Sequence, residues 1–175
     1  MKYLIFSLCF MFMACSSPEK KAERAERNGE LTVIYLVRHA EKETGKNPVL
    51  TEAGKQRAED LAAFFKKKNV TEIFSTDYRR TQQTAAPTAR QANRGVGSYR
   101  HKKLEEIAGQ VRKNKGVILI VGHSNTTPEL AKIFGGDPGE PIVEAWEYDR
   151  LYKLKLKKGK LLSSEILRYG AECKP

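Results

Sequence analysis

The sequence predicts an α/β protein with three layers, α/β/α, in which helices cover both faces of a mostly parallel sheet. Two short aliphatic runs, 31–37 and 117–121, are rich in β-branched residues and are typical of strands buried on both faces. Amphipathic segments separate such runs, and this alternation favours parallel pairing. The C-terminal stretch 146–169 instead alternates apolar residues with lysines around Lys158-Gly159, which indicates a hairpin at the sheet edge.

The first helix is predicted to begin after Thr51, whose hydroxyl can cap a helix start, and Glu52 suits the positive end of the helix dipole. Its apolar residues recur at helical spacing and should face the sheet. They are Ala58, Leu61, Ala62 and Phe65. A short strand follows over 71–75.

The second helix is expected to open at Asp77, to carry Arg79, Arg80 and Thr84, and to be interrupted by Pro87, because proline removes an internal hydrogen bond. A third helix is predicted over 101–113. The fourth should begin at Thr127-Pro128-Glu129, with proline at the favoured first position.

Residues 1–14 have a short positive start and an apolar stretch that is too short to span a bilayer but suits a signal peptide. Ala14-Cys15 followed by two serines resembles a bacterial lipoprotein processing site, so we expect a lipid on Cys15, with an ordinary secretory cut nearby as the alternative. Residues 15–30 form a charged tether to a single domain over 31–175. The protein is therefore expected to be exported, and either anchored by its lipid on the periplasmic side of a bacterial membrane or secreted.

Composition narrows the classes of function. The chain of 175 residues has a formal net charge of +11, which favours anionic ligands or an acidic surface. No nucleic-acid recognition motif is present, so nucleic acid is not expected as a partner. After processing, Cys173 would be the remaining cysteine, so the fold depends on its core rather than on an internal disulfide. The sequence leaves the oligomeric state open.

Two histidines follow the two buried strands directly. His39 comes after the first run with Arg38 beside it, and His123 comes after the second. Ligands of open α/β sheets bind at the carboxyl ends of the strands. A neutral imidazole can attack phosphorus, and fixed guanidinium groups such as those of Arg38 and Arg80 suit the equatorial oxygens of the transition state. These residues therefore predict a phosphate site.

Four segments of the chain resemble motifs of the histidine phosphatase superfamily, also called phosphoglycerate mutase-like. Arg38-His39-Ala40 is similar to the family's Arg-His-Gly, and residues 75–85 (STDYRRTQQTA) are similar to its Ser-Ser-Asp-Leu-x-Arg-Ala-x-Gln-Thr-Ala segment. Gly122-His123-Ser124 resembles its late Gly-His-Ser, and residues 50–54 (LTEAG) its Leu-Thr-x-x-Gly. The motifs occur in the family's order over 31–130.

The resemblance implies a phosphoglycerate mutase-like fold and a phosphomonoester hydrolase that acts through a phosphohistidine on His39. Arg38, Arg80 and His123 would bind the phosphoryl group of a phosphorylated small molecule, and neither a metal nor an organic cofactor is implied. Arg79 falls at a variable position of the motif and is expected on the surface. Ala40 replaces the motif glycine, and a loop that needed a positive φ would be altered by it.

The resemblance leaves the proton donor to the leaving group open. Glu129, in the first turn after the His123 loop, is the candidate we prefer as a catalytic acid. Glu43, Glu105 and Glu106 are alternatives, because the reach of a side chain is not legible in sequence.

The remaining candidates each have a plain structural alternative. Asn125 and Lys42 are predicted to bind substrate, although Asn125 could cap a turn and Lys42 could be a solvated loop residue. His101 is expected at a helix start on the surface, and Trp146 and Tyr148 are expected to pack in the hairpin.

Two other functions compete with a phosphomonoester hydrolase. A non-catalytic lipoprotein that binds phosphate or polyanions would keep the arginine pocket and lack turnover. A phosphotransferase like phosphoglycerate mutase would need to hold a second phosphate and exclude water, normally with longer inserted loops than this chain has.

Overall fold

The computed structural model describes residues 31–174. The predicted signal peptide (1–14), the lipid site at Cys15 and the tether (15–30) lie outside the described residues. Among those described, no helix is long and apolar enough to cross a bilayer. The elements are, in chain order, β1 (Thr32–Arg38), α1 (Glu52–Phe65), β2 (Val70–Ser75), α2 (Arg79–Ala92), β3 (Val96–Ser98), α3 (Leu104–Val111), β4 (Gly116–Gly122), α4 (Thr126–Ile133), β5 (Arg150–Lys157) and β6 (Lys160–Arg168).

The six strands form one sheet in the order β3-β2-β4-β1-β5-β6. The strands from β3 to β1 are parallel, whereas β5 pairs antiparallel with β1 and with β6. The predicted mostly parallel sheet with a C-terminal edge hairpin is thus confirmed. In the register of β1 and β4, Arg38 lies opposite Gly122, so the two strands end at the same level.

Alternating side chains of the central strands separate the core into two layers. Ile34 and Leu36 of β1 pack with α3 and α4, while Val33, Tyr35 and Val37 pack with α1 and α2 on the opposite face. This alternation is the two-residue period of a strand, and it buries both faces of the sheet. The three-layer prediction is therefore confirmed.

Thr51 caps α1 as predicted, since its Oγ1 accepts a hydrogen bond from the main-chain N–H of Gly54 at 3.1 Å. The predicted interruption at Pro87 is wrong, because α2 continues through it to Ala92. Side chains on both sides of the proline are buried, and their packing offsets the missing hydrogen bond. These side chains are Thr84, Ala85, Thr88 and Ala89.

The predicted starts of α2 and α4 also need correction. Asp77 does not cap α2, since its carboxylate accepts a hydrogen bond from Ser98 of β3 at 2.6 Å, a strand too short to be evident in the sequence. Helix α4 begins at Thr126, whose hydroxyl accepts the main-chain N–H of His123 at 2.9 Å. Pro128 is therefore the third helical residue, where the missing N–H costs nothing because first-turn donors have no partner within the helix. Helix α3 is shorter than the predicted 101–113.

Candidate active site

The ends of β1 and β4 bring the two predicted histidines together. The His39 and His123 ring centroids are 5.7 Å apart, and the main-chain N–H of His39 donates to the carbonyl of Gly122 at 2.9 Å. Both side chains are buried. This juxtaposition follows from parallel pairing, because the carboxyl ends of neighbouring parallel strands share one edge of the sheet.

The hydrogen bonding of His39 fixes its tautomer. Its Nδ1 lies 2.8 Å from the main-chain oxygen of Ala40, and a carbonyl only accepts, so Nδ1 carries the proton and Nε2 keeps its lone pair. The pKa of His39 is lowered to about 3, chiefly by burial, and the neighbouring positive charges of Arg38 and Arg80 contribute in the same direction. The imidazole is therefore neutral near pH 7 and has a nucleophilic nitrogen available.

Ala40 fits its position without strain. Its φ is not positive, its main-chain N–H donates to Oγ1 of Thr84 at 2.9 Å, and its methyl group is buried. The expectation that alanine would alter a strained loop does not apply here, because the backbone needs no left-handed conformation.

His123 has the opposite tautomer. Its Nδ1 faces Nη2 of Arg80 at 3.4 Å, and a guanidinium only donates, so Nδ1 accepts and Nε2–H donates to Oγ1 of Thr76 at 3.1 Å. The Thr76 hydroxyl is in turn 2.9 Å from that of Thr81. Burial lowers the pKa of His123 to about 4, and Arg80 contributes in the same direction.

Arg38 was predicted to bind the phosphoryl group, but in the structure most of its guanidinium is bonded to the protein's own main chain. It is 1% exposed, and its Nη1 and Nη2 donate to the main-chain oxygens of Glu147 (3.0 Å) and Glu144 (2.8 Å). Its Cζ lies 4.1 Å from the centroid of the Tyr148 ring. The remaining donor, Nε, is buried and has no partner among the described residues. Burial lowers the pKa of Arg38.

Arg80 lies at the first turn of α2 with its Cζ 4.5 Å from the centroid of the Tyr78 ring. Its Nε is likewise buried without a partner in the described part of the chain. Burial also lowers its pKa. Arg79 is exposed, as expected from the motif, and its main-chain N–H donates to Asn47.

Three aromatic rings around the histidines were not predicted as site residues. Tyr148 precedes β5 rather than packing in the hairpin, and its ring centroid lies 6.2 Å from that of His39. Trp146 lies in the same segment before β5. Tyr78 and His101 lie 5.1 and 6.0 Å from His123 by the same measure, so His101 is half-buried beside the site rather than on the open surface.

The four predicted candidate acids are all exposed in the structure. Glu129 and Glu43 are exposed, and their carboxylates form no hydrogen bond or ion pair with described residues. Glu105 is exposed at the start of α3, where Glu106 pairs with Lys103 and Arg100.

Glu144, which the sequence analysis missed, is better placed than these acids. Its main-chain oxygen accepts from Arg38, and its carboxylate is close enough to both Arg38 and Arg80 to raise the pKa of each, against the lowering by burial. No local pattern marks this residue, because a loop more than 100 residues further along the chain delivers it to Arg38.

The two predicted substrate-binding residues lie in different environments. Asn125 occupies the N-cap position of α4 but its side chain makes no capping hydrogen bond, and it lines a cavity of about 440 Å³ together with Glu129 and Glu144. The main chain of Lys42 pairs with Leu50, and its ammonium group forms no ion pair with described residues. Nor does any group of His, Cys, Asp and Glu side chains in the described chain have the arrangement needed to hold a metal ion.

Sequence comparison supports the resemblance over the first half of the domain. Residues 34–115 match the family model described as the histidine phosphatase superfamily (branch 1). This span contains Arg38, His39 and Arg80 and ends before His123. A comparison with curated proteins gave no match.

Solved structures extend the similarity to the whole domain. The protein histidine phosphatase SixA complexed with tungstate has a TM-score of 0.66 and 12% identity over 78% of this chain and 96% of its own. Phosphoserine phosphatase from Entamoeba histolytica, in complex with 3-phosphoglyceric acid, has a TM-score of 0.56 and 15% identity over 80% and 97%. A mycobacterial glucosyl-3-phosphoglycerate phosphatase has a TM-score of 0.57 and 12% identity over 81% and 100%. The described chain therefore has the fold of these phosphatases, and residues 34–115 carry the sequence pattern of the histidine phosphatase superfamily.

Proposed function

We propose that this protein hydrolyses phosphomonoesters through a phosphohistidine on His39. The observation that carries the proposal is the environment of this imidazole: Nδ1–H is bound to a carbonyl, Nε2 is unprotonated, and the guanidinium groups of buried Arg38 and half-buried Arg80 are close enough to lower the pKa of the ring. This arrangement supplies a neutral nucleophile beside fixed positive charge, which is what attack on a phosphate dianion requires.

The arginines support a phosphoryl ligand independently. The Nε–H groups of Arg38 and Arg80 are both buried without acceptors among the described residues, and a buried unpaired donor is costly. Phosphoryl oxygens are strong acceptors of charge-assisted hydrogen bonds from guanidinium groups. We assign these two donors to the binding of the phosphoryl group, and His123 supports them by accepting a hydrogen bond from Nη2 of Arg80.

The proposed reaction has two steps. The Nε2 lone pair of His39 attacks phosphorus, the Nε2–P bond forms, and the bond from phosphorus to the leaving oxygen breaks while a carboxylic acid protonates that oxygen. Water then attacks phosphorus, the Nε2–P bond breaks, and the carboxylate takes a proton from the water as inorganic phosphate forms. Glu144 is our first candidate for this acid and base, and Glu129, in the same cavity, is the second.

Phosphoenzyme trapping tests the proposal directly. The full chain would be assayed with phenyl phosphate and a chelator, and quenched samples would be examined for acid-labile, alkali-stable phosphate on histidine. We expect turnover and labelling in the wild type and loss of both in His39→Asn, whose amide nitrogen can replace Nδ1–H. Equal hydrolysis by His39→Asn would exclude His39 as nucleophile. Phosphate binding without turnover in the wild type would favour the non-catalytic binding protein.

For the N-terminus we propose export and lipid attachment to Cys15, on the sequence pattern alone. Metabolic labelling of the full chain with a radioactive fatty acid in a bacterial host tests this. Label retained in Cys15→Ser would contradict it.

A further inference from the structure

A second cavity adjoins the proposed phosphoryl site on the side of His123. It has a volume of about 410 Å³ and is lined by the aromatic rings of Tyr78, Tyr99 and His101 and by the basic run 100–103. Tyr78 and His101 connect it to the site, since their rings lie 5.1 and 6.0 Å from that of His123. A group attached to a phosphoryl bound beside His123 can therefore extend into this cavity.

The basic run gives the cavity an unbalanced positive charge. Arg100 and Lys103 are held by the carboxylate of Glu106, at 2.8 and 2.6 Å. Lys102, between them, forms no ion pair or hydrogen bond with any residue in the described range. Asp77, the acid in the lining, accepts the hydroxyl of Ser98 at 2.6 Å and keeps its negative charge, so the three cations Arg100, Lys102 and Lys103 are balanced by the two carboxylates of Asp77 and Glu106 only in part. Lys102 is thus a cation at the rim of an aromatic cavity with no acid assigned to it.

The cavity on the other side of the site has the opposite electrostatics. It contains Lys132, but the carboxylates of Glu129 and Glu144 also line it. An anionic group would be repelled by these carboxylates and attracted to Lys102. Of the two cavities, the one with Lys102 is therefore the one that favours a negatively charged group.

We propose that the cavity lined by Tyr78, His101 and Lys102 binds the part of the leaving group beyond the ester oxygen, which itself stays within reach of the acid, and that preferred substrates carry a second anion, a carboxylate or a phosphate, on that part. The inference rests on the proposed hydrolysis at His39 and names its substrate class. The aromatic walls favour a flat leaving group, which can pack against the rings while its anion faces Lys102.

Matched substrates test the inference. The ratio of kcat/KM for 4-carboxyphenyl phosphate to that for 4-carbamoylphenyl phosphate reports the second charge when it is compared between the wild type and Lys102→Gln, because the two leaving groups have nearly the same shape and their different acidities cancel in that comparison. An ion pair at a partly exposed site is expected to favour the carboxylate roughly fivefold, and less at high ionic strength. A 4-(phosphonomethyl)phenyl phosphate arm shows whether a carboxylate or a phosphate-like dianion is preferred.

Two lysine variants locate the effect. In Lys102→Gln the ratio should fall about fivefold from its wild-type value, whereas in Lys132→Gln, the matched change in the other cavity, it should stay at that value. The same ratio in Lys102→Gln as in the wild type would overturn the inference while leaving hydrolysis at His39 intact.

Binding measurements test the anion site independently of catalysis. If no ester is hydrolysed, the hydrolase proposal fails, but calorimetry with the corresponding non-hydrolysable benzylphosphonates still reports on the cavity. Tighter binding of the carboxylate than of the amide, lost in Lys102→Gln, would support the anion site. Equal affinities would refute it.

Discussion

Acidification should destabilise this fold through His39 and His123, the two histidines of the candidate active site. In the folded protein the pKa of His39 is about 3 and that of His123 about 4, whereas both are near 6.5 in an unfolded chain. The unfolded state therefore binds more protons between these values, so the stabilisation is complete above pH 6.5 and is lost as the pH falls toward the folded values. From about pH 7.5 to about pH 5 each histidine should cost about 2 kcal/mol of unfolding free energy.

Urea denaturation at the two pH values measures this loss. The matched variants are His39→Asn and His123→Gln, since asparagine can place an amide nitrogen near Nδ1 and glutamine near Nε2, the positions that carry the protons. Neither amide titrates. The double variant should lose about 4 kcal/mol less than the wild type over this interval, because the other titrating groups are the same in both proteins.

The reasoning would be refuted if the double variant and the wild type showed the same pH dependence. Long-range ¹H–¹⁵N spectra of the imidazoles provide a second check. We expect the Nδ1–H tautomer for His39 and the Nε2–H tautomer for His123 near pH 7. The same tautomer at both positions would contradict the hydrogen-bond assignments.

Three further substitutions test individual contacts. Glu144→Gln should slow the hydrolysis of phenyl phosphate roughly 100-fold. The hydrolysis of p-nitrophenyl phosphate should slow much less, since a good leaving group needs no acid. A larger effect in the matched Glu129→Gln would assign the acid to Glu129 instead. Thr51→Ala should lower the unfolding free energy by about 1 kcal/mol, measured by urea titration with Thr51→Ser as control. Gly54→Ala would place a Cβ 2.1 Å from the main-chain oxygen of Glu41, so a lower Tm is expected, and an unchanged Tm would exclude this close approach.

The parts of the fold predicted correctly are those encoded by local pattern. The aliphatic runs ending at Arg38 and Gly122 have one stable arrangement, as central strands covered on both faces. Parallel pairing then places the following residues, His39 and His123, at one edge. Thr51 and the stripe behind it specify α1 in the same local way. The fold and the proximity of the two histidines could therefore be predicted from the sequence.

The features that the sequence did not reveal depend on contacts across the chain. Pro87 remains helical because of packing on both sides, which no window of sequence contains. Tyr148 and Glu144 reach the site only because the segment before β5 crosses the end of β1 and is held by Arg38. The short strand β3 is stabilised by pairing with β2 rather than by its own propensity.

Arg38 shows how a residue assigned to a ligand by its motif can also organise the site. Its two Nη groups hold the main chain at Glu144 and Glu147, and its planar face packs on Tyr148. A lysine would retain the charge but could not donate to both carbonyls in this fixed geometry while leaving a third N–H for a phosphoryl oxygen. The loop that carries Glu144 is therefore held by the guanidinium of the residue that precedes His39. The requirement for arginine here is as much geometric as electrostatic.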